Sequence, residues 1–262
     1  MREKAPVGPV APTARPSESL VPEENPYDAS YLEWKDWKGG NFGQLTQSES
    51  ACYAAELRRT GRRFPPGTRV LDIGYGSGPF MGYGRRQGWE MHGAEVNPIL
   101  LKIARDHGFT AHAADSLGEI ADQSFDLITA FDVLEHIPQT QMIEFLIEAK
   151  RLLRVDGCLL ARFPNGDSPF GLLNQHGDVT HVTILGSGKA RYFAGRAGFE
   201  LLYLGGAAQP LRGATHRQIL HRLVAVPVKA AINFLVNLIF FPGVNVAFCA
   251  TNMVMICRRN RA

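Results

Sequence analysis

Cysteine is scarce in this chain and none of it is placed to do chemistry. Cys52, Cys158, Cys249 and Cys257 are the four cysteines in 262 residues, and no two form a Cys-x-x-Cys pair. That excludes the common zinc and dithiol arrangements; the last three sit in apolar runs, where a thiol packs as a small hydrophobe. Reduced core thiols suit a cytoplasmic protein. Charge of one sign is also lacking: the net charge is +3 and no run of five or six like charges occurs, so no nucleic-acid partner is expected. Residues 1–26 carry six prolines and no apolar stretch of seven residues. This argues against a secretory signal and predicts a disordered tail, since such a composition buries little. Long apolar runs are nearly absent. The one exception, Val228 to Phe241, is about 14 residues, short of the roughly 20 that span a bilayer, and is bracketed by Pro227 and Pro242.

The stretch that organises the rest is Val70-Leu71-Asp72-Ile73-Gly74-Tyr75-Gly76-Ser77-Gly78-Pro79-Phe80. A short apolar run bounded by turn residues reads as a buried parallel strand, Arg69 to Ile73. Alternate glycines then form a tight turn, and Pro79 stands where a first helical residue is favoured. A Gly-rich turn before a helix N-terminus lets backbone approach a ligand closely and offers it unpaired N–H groups. The dinucleotide fingerprint Gly-x-Gly-x-x-Gly is not met, because its third glycine position holds Pro79. A NAD-dependent oxidoreductase is thereby the weaker alternative.

The pattern Leu71-Asp72-Ile73-Gly74-Tyr75-Gly76-Ser77-Gly78 resembles the first motif of class I S-adenosylmethionine (SAM) dependent methyltransferases. Three further stretches agree with that resemblance. Glu95 ends the next strand candidate, and an acid there can accept hydrogen bonds from both ribose hydroxyls. Asp115 closes Thr110-Ala111-His112-Ala113-Ala114-Asp115, and the resemblance places it beside the adenine amino group. Phe125 to Pro138, with Phe131 and Asp132 in its middle, looks like the family's fourth-strand motif, commonest among enzymes acting on small molecules. The resemblance thus implies SAM as cofactor, held by Asp72, Gly74, Gly76, Gly78, Glu95, Asp115, Phe131 and Asp132. For Asp72 two roles stand, shaping the turn or ordering water at the SAM amino group; Asp132 faces the cofactor or caps the chain after its strand.

Strand and helix alternate from about residue 66 to 204, which predicts a Rossmann-like α/β fold with a mostly parallel sheet. In the resembled family a seventh strand returns antiparallel, and 249–257 is its candidate. The expected organisation is a tail over 1–26, an aromatic helical lid over 27–65, the SAM-binding core over 66–204, a helical apolar insertion over 205–246, and a final strand with a basic tail over 247–262. The aromatic cluster Tyr27, Tyr31, Trp34, Trp37 and Phe42 either packs the lid onto the core or also closes the pocket. In the insertion, Lys229, Asn233 and Asn237 fall four apart on one stripe, and Arg212, Arg217 and Arg222 precede the apolar run. Packing on the core or on a second subunit in a homo-oligomer is one expectation, and peripheral membrane contact through 212–241 the other.

Methyl transfer from a sulfonium needs the nucleophile in line with the methyl group, and a base only where the acceptor must lose a proton. His181 is the first candidate for that base and His176 the second; both follow the fifth strand, and histidine titrates near neutral pH. His176, Asp178 and His181 are close in sequence, but polar loop packing, not a metal, is the expectation. The acceptor is expected to be a small molecule, a glycan or a lipid-linked compound. A non-catalytic SAM-binding membrane adaptor is the remaining alternative.

Overall fold

The computed structural model describes residues 27, 29–37 and 39–260. The tail expected over 1–26 lies outside the described residues. A seven-stranded sheet runs in the order β3-β2-β1-β4-β5-β7-β6. Its strands are β1 (Arg69–Ile73), β2 (Glu90–Glu95), β3 (Thr110–Ala113), β4 (Phe125–Phe131), β5 (Leu153–Pro164), β6 (Glu200–Gly206) and β7 (Asn252–Arg258). The first five are parallel, while β7 runs antiparallel between β5 and β6. The apolar character of β1 follows from burial on both faces. Its Leu71 packs with Phe125, Ile128 and Phe163 on one side, and Val70 packs with Phe80, Leu127 and Leu160 on the other. Neither Val70 nor Leu71 exposes any surface, so Leu71→Ala would cost about 2–5 kcal/mol.

Helices cover both faces: α2 (Gln47–Arg59), α3 (Pro79–Arg86) and α4 (Pro98–Asp106) on one, α5 (Met142–Leu152) and α7 (Ser187–Arg196) on the other. The chain builds β1, β2 and β3 outward in one direction and then crosses to β4 beside β1. Ile73 stands level with Ala94 of β2 and Ala130 of β4, and Ala130 with Ala161 of β5. The carboxyl ends of four strands therefore meet at the place where strand order reverses, which is where open α/β sheets bind ligands.

Two local expectations need correction. β3 stops at Ala113, and Asp115 falls in the 3-10 turn Ala114–Glu119 after it. The insertion helix α8 spans His216–Phe240 and runs through Pro227, which was expected to bound the apolar run at its amino-terminal side. A capping box at its start, with Thr215 and Gln218 each bonding the other's backbone N–H, nucleates the turns that carry it up to the proline. At 25 residues, α8 is long and apolar enough to cross a membrane by length and composition.

Candidate active site

The glycine turn fixes one wall of the site. Gly74, Gly76 and Gly78 have φ of +64°, +51° and +73°, a left-handed region that only glycine enters without strain. Gly78 caps α3 with no side-chain bond to the first helical amides. The lid occupies the space the missing side chains leave. A Cβ on Gly76 would lie 2.9 Å from Trp37, and one on Gly78 would lie 2.6 Å from Phe42. Helix α1 (Ala29–Trp34) and the residues after it both pack on the core and line a cavity. Leu32 and Phe42 are buried against the core, while Tyr31, Lys35 and Trp37 line a cavity of about 550 Å³.

Glu95 sits behind the turn at the end of β2. One carboxylate oxygen accepts from the amides of Val96 (2.8 Å) and Asn97 (3.2 Å), and the other lies 3.4 Å from the Gly76 amide. Burial raises its pKa, and these amides pull it back. Asn97 continues the same turn: its Oδ1 accepts from the Ile99 amide and caps α4, while its Nδ2 donates to the Tyr27 carbonyl and ties the lid down. Asp115 is exposed and does not line the cavity.

The cavity runs from the glycine turn to a cluster of acids and imidazoles. Asp72 is buried, and its Oδ1 accepts from the Thr129 hydroxyl at 2.7 Å. Burial raises its pKa to about 7. Glu135 is 1% exposed and neither of its carboxylate oxygens has a hydrogen-bond partner. Burial, with the nearby Asp132 charge, lifts its pKa to about 8. The buried Tyr75 hydroxyl, also at the cavity, has no partner either. Asp132, held at φ +57° after β4, pairs through both oxygens with the Arg162 guanidinium of β5, Nε at 3.0 Å. Phe131 and Asp132 both line the cavity.

Of the two histidines proposed as base, only His181 is brought into the cavity. His176 ends α6 (Leu172–His176), exposed and outside the lining. His181 Nδ1 lies 3.0 Å from the Gln175 carbonyl. A carbonyl only accepts, so Nδ1 carries the hydrogen and the neutral ring keeps its lone pair on Nε2. That nitrogen stands 3.8 Å from Glu135 and 3.9 Å from Asp178. His136 meets His181 edge to face, its Nδ1 2.9 Å from Thr180 Oγ1. Burial and the His181 ring lower its pKa. Asp178 receives Lys35 Nζ at 2.6 Å, the Tyr31 hydroxyl at 3.1 Å and the Thr180 hydroxyl at 2.6 Å. Burial alone would raise its carboxyl, but these donors outweigh burial and hold it well below the usual range. Sequence reasoning missed Glu135, Lys35 and Arg162. Glu135 stood inside the fourth-strand stretch Phe125 to Pro138; Lys35 and Arg162 carried no signal by spacing. Among the described residues, Glu135, His136 and His181 could hold a divalent cation, with ligand atoms within 4.8 Å of one another. His176 and Asp178, set beside His181 at the sequence level, are not in that group.

SAM fits this site on charge. It brings a sulfonium and an ammonium, and the cavity is lined by three buried acids, Asp72, Glu135 and Asp178, of which Asp178 is already paired with Lys35 and Glu135 has no hydrogen-bond partner. Comparison with known proteins agrees. The family profile described as "Methyltransferase domain" matches residues 47–204, more than half of the chain. The ubiquinone biosynthesis O-methyltransferase of Photorhabdus laumondii is 24% identical over 169 residues, 62% of this chain and 65% of that protein. That of Hahella chejuensis is 26% identical over 130 residues, 47% of this chain and 50% of that protein. The chain therefore spans less than two thirds of the length of these relatives. A SAM-dependent methyltransferase structure from Archaeoglobus fulgidus superposes with a TM-score of 0.60 at 18% identity, covering 88% of this chain and 100% of that one, which shows a shared fold. With the glycine turn, the strand order and the acid-lined cavity, these matches establish that the chain belongs to the class I SAM-dependent methyltransferases.

Proposed function

We infer that this methyltransferase acts in the cytoplasm on a hydroxyl of a small acceptor that is lipid-linked or glycan-linked, with His181 as general base. The observation that carries the reading is the imidazole itself. Its Nδ1–H is committed to the Gln175 carbonyl, leaving a basic Nε2 within the cavity beside Glu135. When bound, SAM supplies a methyl group on a leaving group that is already activated. The chain's own residues then position and dry the acceptor: Tyr31 and Trp37 close the cavity from the lid, and His181 Nε2 takes the acceptor's proton. A proton on His181 gains the neighbouring Glu135 and Asp178 carboxylates as partners. That the curated relatives are named O-methyltransferases supports oxygen as the methylated atom. Glu95, Asp72, the glycine turn, Phe131 and Asp132 are the proposed cofactor contacts, Asp115 a more distant one. Metal-free transfer is part of the proposal, because the sulfonium needs no Lewis acid to leave.

The test is transfer of labelled methyl from SAM to a panel of polyprenyl catechols and lipid-linked saccharides. His181→Ala should lower turnover about a hundredfold or more while SAM affinity is kept. Full turnover in that variant would reject His181 as base, and no transfer to any hydroxyl acceptor by a protein that binds SAM would reject the acceptor class.

A further inference from the structure

Helix α8 is built inside out. Among its residues none is buried, and the partly covered ones, Arg222, Lys229, Asn233 and Asn237 among them, fall on one stripe. At 100° per residue that stripe faces the protein, and four of its seven members, Arg222, Lys229, Asn233 and Asn237, are polar, beside Ile219, Ala225 and Val236. Asn233 Oδ1 accepts from the Cys249 amide, and Asn237 exchanges hydrogen bonds with the backbone of Val246 through both ends of its amide. The outward arc is apolar: Leu223, Phe234, Leu235, Leu238 and Ile239 are each more than half exposed. A water-facing helix has the opposite arrangement. The apolar arc covers roughly half the circumference, wider than the narrow seam by which one helix packs on another.

Charge identifies what covers it. From Leu201 to Ala262 the sequence contains no aspartate or glutamate, but seven lysines and arginines. Arg212, Arg217 and His221 are exposed at the amino-terminal end of the helix. An apolar arc flanked by cations with no anion suits the boundary of an anionic bilayer. The helix cannot cross that bilayer while both its ends are tied to the domain. Before it, Gly213 packs against the Gln47 carbonyl and Ala51 of α2. After it, residues 246–250 return along the asparagine stripe and are held by Asn165 and Ser168 at the end of β5. A spanning helix of about 37 Å would put those ends on opposite sides of the membrane.

We propose that α8 lies in the plane of an anionic phospholipid surface and seats the cavity mouth on it. Apolar side chains continue from the helix toward that mouth: half-buried Phe248 meets exposed Phe170 edge to face, and exposed Leu172 and Leu173 follow, with Leu173 lining the cavity. An acceptor with an apolar tail could reach the site from the lipid. That last step rests on the lipid-linked acceptor proposed above; the seating of the helix does not.

The experiment is co-sedimentation of the full chain with phosphatidylcholine vesicles, with and without phosphatidylglycerol, alongside SAM titration without vesicles. Binding should require phosphatidylglycerol and weaken with salt. Phe234→Ser/Leu238→Ser/Ile239→Ser should bind at least tenfold more weakly, with SAM affinity and melting temperature kept. Arg212→Gln/Arg217→Gln, which changes only exposed side chains, should lose about fivefold per charge and provides the readout if the first variant fails to fold. A wild-type protein that ignores vesicles overturns the proposal, as does one that dimerises through α8 and is made monomeric by the serine variant. Vesicle binding without SAM binding would leave α8 as proposed and remove the enzymatic reading.

Discussion

At the residue scale, Glu95 has a structural task beside the ligand contact proposed for it. Its carboxylate organises the β2–α4 turn through the Val96 and Asn97 amides while one oxygen stays loosely held near Gly76. Glu95→Ala would therefore disturb the turn as well as any contact with the ribose. Glu95→Gln retains an acceptor for the amides and removes the charge. It should weaken SAM by about 1.5–3 kcal/mol, roughly tenfold to a hundredfold, with a small change in melting temperature. Calorimetric titration reads this directly, and unchanged affinity would take Glu95 out of the site. Gly76 allows no such separation. Any larger side chain there meets both a left-handed backbone and the Trp37 ring, so its loss of function would not report on ligand contact alone.

At the scale of elements, the lid is fastened at its two ends by different chemistry. The Tyr27 carbonyl accepts from Asn97, and Lys35 and Tyr31 reach Asp178 beyond β5. Lys35 adds a cation to a buried carboxylate, and removing it leaves that charge less well compensated. Lys35→Met should therefore loosen α1, lower SAM affinity severalfold and speed proteolysis between residues 27 and 46, while the core resists as before. Proteolysis at the wild-type rate would mean that aromatic packing alone holds the lid. The aromatic cluster made the lid visible in the sequence. Its latch was invisible, because Lys35 and Asp178 are 143 positions apart and only the fold brings them together.

The whole molecule shows where local signals end. Parallel strands, glycine turns and proline at helix starts are written in short stretches, so the sheet and the glycine wall could be read directly. His181 could be named from its place after β5, but not separated from His176 until the loop placed one inside and the other in solvent. Glu135 was missed, because nothing in sequence reports that a carboxylate is buried without a hydrogen-bond partner. For α8, Pro227 suggested a boundary before the apolar run, but the helix starts eleven residues earlier, at His216, and an exposed helix tolerates the lost bond.

A global pH dependence follows from the two raised acids. Asp72 and Glu135 have folded pKa values of about 7 and about 8, above the values of 3.8 and 4.5 for the free groups. The folded chain holds protons that the unfolded chain has released, so the stability they add is complete below about pH 4 and is lost as pH rises through 7 to 8. The melting temperature of the SAM-free protein should fall between pH 5 and 8.5, by scanning calorimetry. A flat profile would show that these carboxyls are already ionised.

Bound SAM would pair those carboxylates with a sulfonium and an ammonium, so binding must expel the protons they hold. Calorimetric titration of SAM at pH 7 in buffers of differing ionisation enthalpy measures that release. The account predicts binding at one site with net proton release, and less release in Glu135→Gln. Absence of binding, or binding that releases no proton in the wild-type protein, would contradict it.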